Sequence, residues 1–231
     1  MKRFWKSVDV VRGEDGSGIR LDDRPVRTPA RTALRLPGEA LAEAIADEWR
    51  EAGEDVDPRA MPLTGIANAA IDLVALDKDA FAAGLARYAE ADLACYRAEG
   101  PRALIERQEQ IWDALLNWAR QRYDVDFVTT PGLMHVSQPQ ATVERLAHAV
   151  AALDAFHLAA LSPLVTIGGS LIAALAVMEK AITLEQAWDA VSIDERWQLE
   201  QWGADPEAEA ALENRRRDFL AAARFVELLD A

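Results

Sequence analysis

The chain has 231 residues, of which 51% are hydrophobic, so it can bury a sizeable core and is not expected to be disordered. Its formal net charge is −14 at pH 7, with a sequence pI of about 4.7; this argues against nucleic acid and anionic membrane surfaces as partners, because both attract basic proteins. The same charge is compatible with simple solubility or with steering toward a basic partner surface.

The chain begins with a pattern typical of short β-strands. Three closely spaced valines precede a glycine-rich turn at residues 13–18, and residues 19–22 then alternate apolar and polar side chains, which predicts a hairpin. Pro29 limits the stretch 26–36 to an edge strand or an extended loop, because proline has no backbone N–H to donate. We therefore predict a small β module over residues 1–36. A lone hairpin is marginally stable, so this module must pack on other elements.

From residue 37 onward the apolar period becomes helical. Leu41, Ala44 and Ile45, for example, share one face of the first predicted helix. We predict an all-helical domain over residues 37–231 with about seven helices, which makes the fold class α+β.

Local signals predict where several helices begin and end. The apolar spacing of residues 81–96 predicts one helix, and a second helix is predicted to begin at Ser162-Pro163. The apolar run 164–178 is too short and too interrupted to cross a membrane, so we predict a buried core helix there. A further helix is predicted between a capping box at Thr183 and a stop at Gly203. The last helix is predicted from Asp205-Pro206 to about Leu229.

The residues that usually carry catalysis or bind metals form no recognisable constellation. The single cysteine, Cys95, excludes an internal disulfide and a cysteine metal cluster. His135, His148 and His157 lack the spacing of a helical metal site, and no phosphate-binding glycine loop occurs. We therefore predict no catalytic residue, no cofactor and no metal. Asp92, close in sequence to two tyrosines and an arginine, is predicted to be a buried structural carboxylate bonded to one of them.

The seven tryptophans indicate either core packing or binding anchors. Trp197 and Trp202 are five residues apart and cannot share one helix face, so one of them is predicted to lie in the core and the other on the surface. A partly exposed tryptophan among carboxylates is a good anchor for a protein partner. Trp202 is the candidate for this role.

Ten short segments, spread over nearly the whole chain, share their order and spacing with one known family. They are residues 4–6 (FWK), 23–29 (DRPVRTP), 61–64 (MPLT), 67–72 (ANAAID), 92–93 (DL), 95–97 (CYR), 107–108 (RQ), 112–113 (WD), 169–171 (GSL) and 197–203 (WQLEQWG). This pattern resembles the assembly chaperones for the catalytic head of the F-type ATP synthase, in their bacterial form. The eukaryotic counterpart is the mitochondrial assembly factor 2.

The resemblance implies a fold and a function. It implies a small N-terminal β domain with a larger C-terminal helical domain. It implies binding to the unassembled alpha subunit of the ATP synthase, protection from aggregation, and later displacement by the beta subunit, without ATP hydrolysis or a small-molecule substrate. The basic first residues lack the apolar run of a signal peptide, and no presequence is evident. A bacterial cytoplasm is therefore expected, and the mitochondrial matrix is expected for eukaryotic relatives.

The C-terminal helices are the predicted contact with this partner. Glu200, Gln201 and Trp202 are the candidate contact residues, with Asp205 and Glu207 as supporting charges. An equally simple reading is that Glu200 and Trp202 only fix helix packing beside Gly203.

Two other classes of function remain open at the level of the sequence. One is an enzyme that uses His135 or Asp92. The other is a helical protein that binds a small molecule or has a regulatory role, which would require an enclosed apolar pocket between helices.

Overall fold

The computed structural model describes residues 2–203 and 205–231. In that part of the chain there are six strands, which span Val8–Gly13 (β1), Gly16–Leu21 (β2), Arg24–Pro25 (β3), Arg35–Leu36 (β4), Tyr96–Arg97 (β5) and Thr130–Pro131 (β6). The same part holds ten α-helices, which span Glu39–Glu51 (α1), Pro62–Asp72 (α2), Lys78–Ala86 (α3), Arg102–Tyr123 (α4), Gln140–Ala151 (α5), Ala155–Gly168 (α6), Leu171–Met178 (α7), Leu184–Val191 (α8), Ile193–Trp202 (α9) and Pro206–Leu229 (α10). The predicted α+β class is confirmed.

The chain folds into two compact units, and neither is continuous in sequence. Unit 1 comprises residues 1–78, 154–160 and 221–231, and unit 2 comprises residues 79–153 and 161–220. The first sheet and helices α1 and α2 belong to unit 1, whereas α4, α7, α8 and α9 belong to unit 2. The boundary predicted at residue 36 follows the change from strands to helices and stays a prediction about domains.

The sheet of unit 1 is built around the predicted hairpin. Strands β1 and β2 pair antiparallel, with Val10 opposite Ile19, and both β3 and β4 pair with β2. The hairpin turn needs glycine at Gly16, whose φ is +105° and whose Cβ, if present, would lie 2.5 Å from the carbonyl oxygen of Leu36. The sheet therefore brings Leu36 to the middle strand despite the shortness of β4.

Helix α1 covers this sheet with the face that its apolar spacing predicts. Leu41 and Ile45 are fully buried, as are Ile19 and Leu36 of the sheet. Because residues 221–231 also belong to unit 1, the C-terminal end of α10 adds buried side chains such as Phe225 to the same unit.

A carboxylate from α1 caps the next helix of unit 1. Helix α2 has no side-chain cap of its own at Met61. Instead, the carboxylate of Glu48 accepts hydrogen bonds from the backbone N–H groups of Leu63 (2.7 Å) and Thr64 (2.8 Å) and from the Thr64 hydroxyl (2.7 Å). Burial raises the pKa of Glu48, while these hydrogen bonds act in the opposite direction. Glu48 therefore satisfies free N–H groups that every helix leaves at its start.

Replacing Glu48 by alanine is expected to lower the free energy of unfolding by about 2 to 3 kcal/mol, because it leaves half-buried donors at the start of α2 without an acceptor. Urea denaturation measures this loss. Glu51→Ala, at an exposed position on the same helix, is the matched control and should change stability by less than about 0.5 kcal/mol. Equal losses at the two positions would contradict the capping role.

Unit 2 is organised around its long helix α4, which contacts α7, α8 and α9. Trp112, 2% exposed, lies at the centre of α4, and its indole N–H donates to the carbonyl of Ala190 at 2.7 Å. The second, two-stranded sheet pairs β5 with β6 in parallel and belongs to the same unit. Between α4 and α5 the chain is irregular apart from the two residues of β6.

Three predicted helices are wrong in extent, and the structure has ten α-helices in its described part instead of about seven. The apolar run 164–178 is divided at Gly169 (φ +68°) between α6 and α7. Because α6 begins at Ala155, Pro163 lies inside that helix rather than at a helix start. The helix predicted from Thr183 to Gly203 is divided at Ser192, whose hydroxyl donates back to the Trp188 carbonyl at 2.6 Å. Residues 81–96 form α3, two 3₁₀ turns and the start of β5. In the described part of the chain, no helix combines the length and apolar character that a membrane span requires.

Candidate functional site

The predicted contact residues meet where α9 ends and α10 begins, a region we call the α9–α10 corner and define by Glu200, Gln201, Trp202, Asp205 and Glu207. Gly203, with a φ of +85°, ends α9, and its N–H bonds to the Leu199 carbonyl at 3.1 Å. Asp205 directly precedes Pro206, the first residue of α10, and its carboxylate accepts a hydrogen bond from the Glu207 N–H at 3.0 Å. Both predicted boundary signals at this corner are therefore confirmed.

Of the two tryptophans of α9, one lies on the surface as predicted, but the other is not in the core. Trp202 is 81% exposed, whereas Trp197 is half-buried. An indole left in water at the end of a helix does not contribute to packing, so the reading in which Trp202 fixes helix packing is disfavoured. Exposed aromatic side chains of this size are typical of binding surfaces.

Glu200 is held within unit 2 by an ion pair. The Arg107 guanidinium donates to both carboxylate oxygens of Glu200, at 2.9 and 3.0 Å, and lies 5.1 Å from the centroid of the Trp197 ring. The hydrogen bond from Arg107 lowers the pKa of Glu200. Glu200 is still about half exposed, so it ties α9 to α4 and remains accessible at the surface.

A cleft beside Trp202 separates the two helices of the corner. Its volume is about 480 Å³, and its walls include Leu199 and Leu212 together with two alanines of α10. Gln201 and Glu207 are exposed, and each is next in the chain to a residue that lines the cleft. The corner therefore combines an exposed indole, an apolar cleft and several carboxylates.

Asp92 is completely buried, as predicted, but its partners are not the tyrosine or arginine that its neighbours indicated. One carboxylate oxygen accepts from the Ala94 N–H (2.9 Å) and the Ser170 hydroxyl (2.8 Å), and the other accepts from the Ile172 N–H (2.9 Å). Burial raises the pKa of Asp92 to about 6 against these hydrogen bonds. Because Ser170 caps α7, the carboxylate stabilises the start of that helix and is not free for chemistry.

Within residues 2–203 and 205–231, the histidines and acids do not assemble into a recognisable reactive group. His135 lies in the exposed loop after β6, with its Nδ1 3.4 Å from the hydroxyl of Tyr96. His157 instead bridges Asp154 (2.8 Å) and Asp230 (3.3 Å) within unit 1. Among the described residues, no group of three or more His, Cys, Asp or Glu side chains is placed to hold a metal ion.

Two exposed apolar residues of unit 2 were missed by the sequence reasoning. Leu133 and Met134, directly after the Pro131-Gly132 turn, are 95% and 80% exposed. The available signal was two large apolar side chains in a stretch without periodicity, where nothing indicates a core position.

Comparison with known proteins gives consistent matches. Residues 2–120, about half of the chain, match a family model described as ATP12 chaperone protein. The chain is 25% identical over 215 residues to the mitochondrial protein atp12 of Schizosaccharomyces pombe, covering 88% of this chain and 74% of that protein.

Two solved structures are similar over almost the whole chain. A crystal structure of Atp12 from Paracoccus denitrificans has 45% sequence identity and a TM-score of 0.92, with 99% of this chain and 98% of that chain covered. A proposed chaperone from Agrobacterium tumefaciens has 40% identity and a TM-score of 0.93, with 99% and 86% covered. The family model, the sequence identity and the shared fold agree with the resemblance carried by the sequence motifs, and the chain belongs to the ATP12 chaperone family of ATP synthase assembly factors.

Proposed function

We propose that this protein binds the unassembled alpha subunit of the F-type ATP synthase catalytic head, prevents its aggregation and hands it to the beta subunit. The observation that carries the proposal is the exposed indole of Trp202 beside the cleft and carboxylates of the α9–α10 corner. A chaperone for one subunit must offer apolar area and yet stay soluble, and an acidic surface around an apolar anchor meets both needs.

The proposed mechanism requires binding and release only. Glu200, Gln201 and Trp202 supply the contact, and Asp205 and Glu207 add negative charge around it. Handover needs an affinity that the beta subunit can exceed by a few kcal/mol, since specificity is a difference between two binding free energies. No ATP hydrolysis, cofactor or small-molecule substrate is part of this proposal. The expected compartment is the bacterial cytoplasm, with the mitochondrial matrix for eukaryotic relatives.

The direct test is co-expression of the chain with its own alpha subunit in the absence of the beta subunit. We expect more soluble alpha subunit than in cells without the chain, and a joint peak in size-exclusion chromatography that disappears when beta subunit is added. A well-folded chain that neither raises soluble alpha subunit nor co-elutes with it would overturn the proposal and favour a small-molecule or regulatory role.

Replacing Trp202 by alanine is expected to weaken binding to the alpha subunit by about thirtyfold, because an exposed tryptophan that becomes buried in an interface is typical of a hot spot. The affinity is measured from suppression of alpha-subunit aggregation by increasing concentrations of each variant. Leu76→Ala is the matched control, since Leu76 is 80% exposed and belongs to unit 1. Equal effects of the two substitutions would contradict a specific role for Trp202.

A further inference from the structure

The cleft beside Trp202 is one end of a longer groove in unit 2. A depression of about 540 Å³ beside Leu133 shares Leu93, Gly169 and Asp194 with a second depression of about 380 Å³. The second depression shares Glu195, Gln198 and Arg215 with the cleft. Neighbouring depressions share lining residues, so the three follow one another across unit 2, and together we call them the unit 2 groove.

Each end of the unit 2 groove carries a large apolar side chain that points into water. Leu133, 95% exposed, lines one end, and Trp202, 81% exposed, lines the other. Between them the groove runs over Gly169, where an added Cβ would find only the Leu93 Cβ, at 3.8 Å. The backbone is therefore accessible in the middle of the groove, and a bound chain can approach it closely.

More acidic than basic side chains line the unit 2 groove. Both of its arginines are already paired with carboxylates, Arg97 with Asp113 at 2.5 Å and Arg215 with Glu195 at 2.7 Å.

The acids that remain in the unit 2 groove are Glu99, Asp194 and Asp205. The contact to the Asp194 side chain comes from the neutral amide of Gln108, at 2.7 Å. The groove thus has one carboxylate in its middle and one near each apolar end, which complements a segment that carries positive charge.

We propose that the unit 2 groove holds one continuous segment of the client protein, with apolar side chains against Leu133 and Trp202 and at least one lysine or arginine between them. This inference rests on the proposed function and extends it, because the contact then reaches well beyond the α9–α10 corner. The loop after β6 becomes part of the binding surface, and the client is recognised by a basic segment with apolar ends.

The test compares substitutions at the end of the groove away from Trp202. Leu133→Asp is expected to raise the concentration that half-suppresses alpha-subunit aggregation by about tenfold or more, because a charge replaces an apolar contact. Leu76→Asp is the control, because Leu76 is also largely exposed but belongs to unit 1, and it should have no effect. Glu99→Lys should also weaken binding and should reduce its dependence on salt, since one attractive charge is reversed. Circular dichroism confirms that each variant is folded.

The outcomes separate the inference from the proposed function. If the wild-type chain does not suppress aggregation, the proposed function fails. If it does, and Trp202→Ala weakens binding while Leu133→Asp and Glu99→Lys do not, the contact is confined to the corner and the groove inference is wrong. The inference is equally overturned if Leu133→Asp changes the oligomeric state of the isolated chain, because the groove would then bind a second copy. Overlapping peptides of the alpha subunit provide a second test: bound peptides should combine basic and large apolar residues.

Discussion

Replacing Asp92 by alanine is expected to lower the free energy of unfolding by about 3 to 5 kcal/mol, one of the two largest effects that the structure implies. The substitution leaves the N–H groups of Ala94 and Ile172 and the hydroxyl of Ser170 without their acceptor in a fully buried site. Chemical denaturation measures the loss. Glu90→Ala removes an exposed carboxylate two residues away and should have an effect below about 0.5 kcal/mol.

The same residue makes stability depend on pH in a defined direction. The pKa of Asp92 is raised from 3.8 to about 6 in the folded chain, mainly by burial. The folded state therefore holds this proton more tightly, and the resulting stabilisation is complete below the lower value and is lost as the pH rises through the higher one. The free energy of unfolding of the wild type minus that of Asp92→Asn should thus decrease as the pH rises from the lower to the higher value. Above the higher value the difference should stay constant. A difference that grows with pH would mean that the hydrogen bonds outweigh burial.

The second large effect is expected at Trp112, where alanine should cost about 3 to 5 kcal/mol of unfolding free energy. The indole is buried, bonded to the Ala190 carbonyl, and stacked 5.3 Å from the Arg97 guanidinium. Trp112→Phe keeps most of the ring volume and should cost only about 1 to 2 kcal/mol, from the lost hydrogen bond. Denaturant midpoints distinguish the two variants.

Trp202 provides a reciprocal control for Trp112. Trp202→Ala removes an exposed side chain and should change stability by less than about 0.5 kcal/mol, although it is expected to weaken client binding strongly. Trp112→Ala should instead act on stability. If both substitutions shift the denaturation midpoint equally, the distinction between core and surface tryptophans is wrong.

The sequence predicts those parts of the fold that depend on local signals. The hairpin before Leu21, the buried face of α1 and the boundaries at Gly203 and Asp205 all follow from turn glycines, periodicity and caps. The break at Gly169 was missed because α6 and α7 themselves carry apolar residues on all sides, so the apolar spacing gives no signal of where one helix ends. The partners of Asp92 were missed because Ser170 lies 78 residues away in the chain.

The candidate site was predictable to a similar degree. Spacing alone places Trp197 and Trp202 on different faces, but it does not say which one is exposed. The ion pair between Arg107 and Glu200 joins residues 93 positions apart, and no local pattern indicates it. The exposed Leu133 carries no periodic signal at all.

The motifs that carry the family resemblance contact one another in pairs within each unit. The pairs, with their distances, are Thr28 and Asp72 at 2.6 Å, Asp92 and Ser170 at 2.8 Å, Arg97 and Asp113 at 2.5 Å, and Arg107 and Glu200 at 2.9 Å. Motifs scattered along the sequence thus describe a set of polar contacts that fix the scaffold.

The discontinuity of unit 1 has a consequence for how the protein is made. Residues 221–231 belong to the same compact unit as residues 1–78, and Phe225 and Val226 are buried in it. A ribosome synthesises these residues after those of unit 2, whose sequence is complete at residue 220. Domains usually complete their folding in the order of synthesis. Here the unit that emerges first is completed after the second one, so a nascent chain of this chaperone exposes an incomplete N-terminal unit until residues 221–231 have been made.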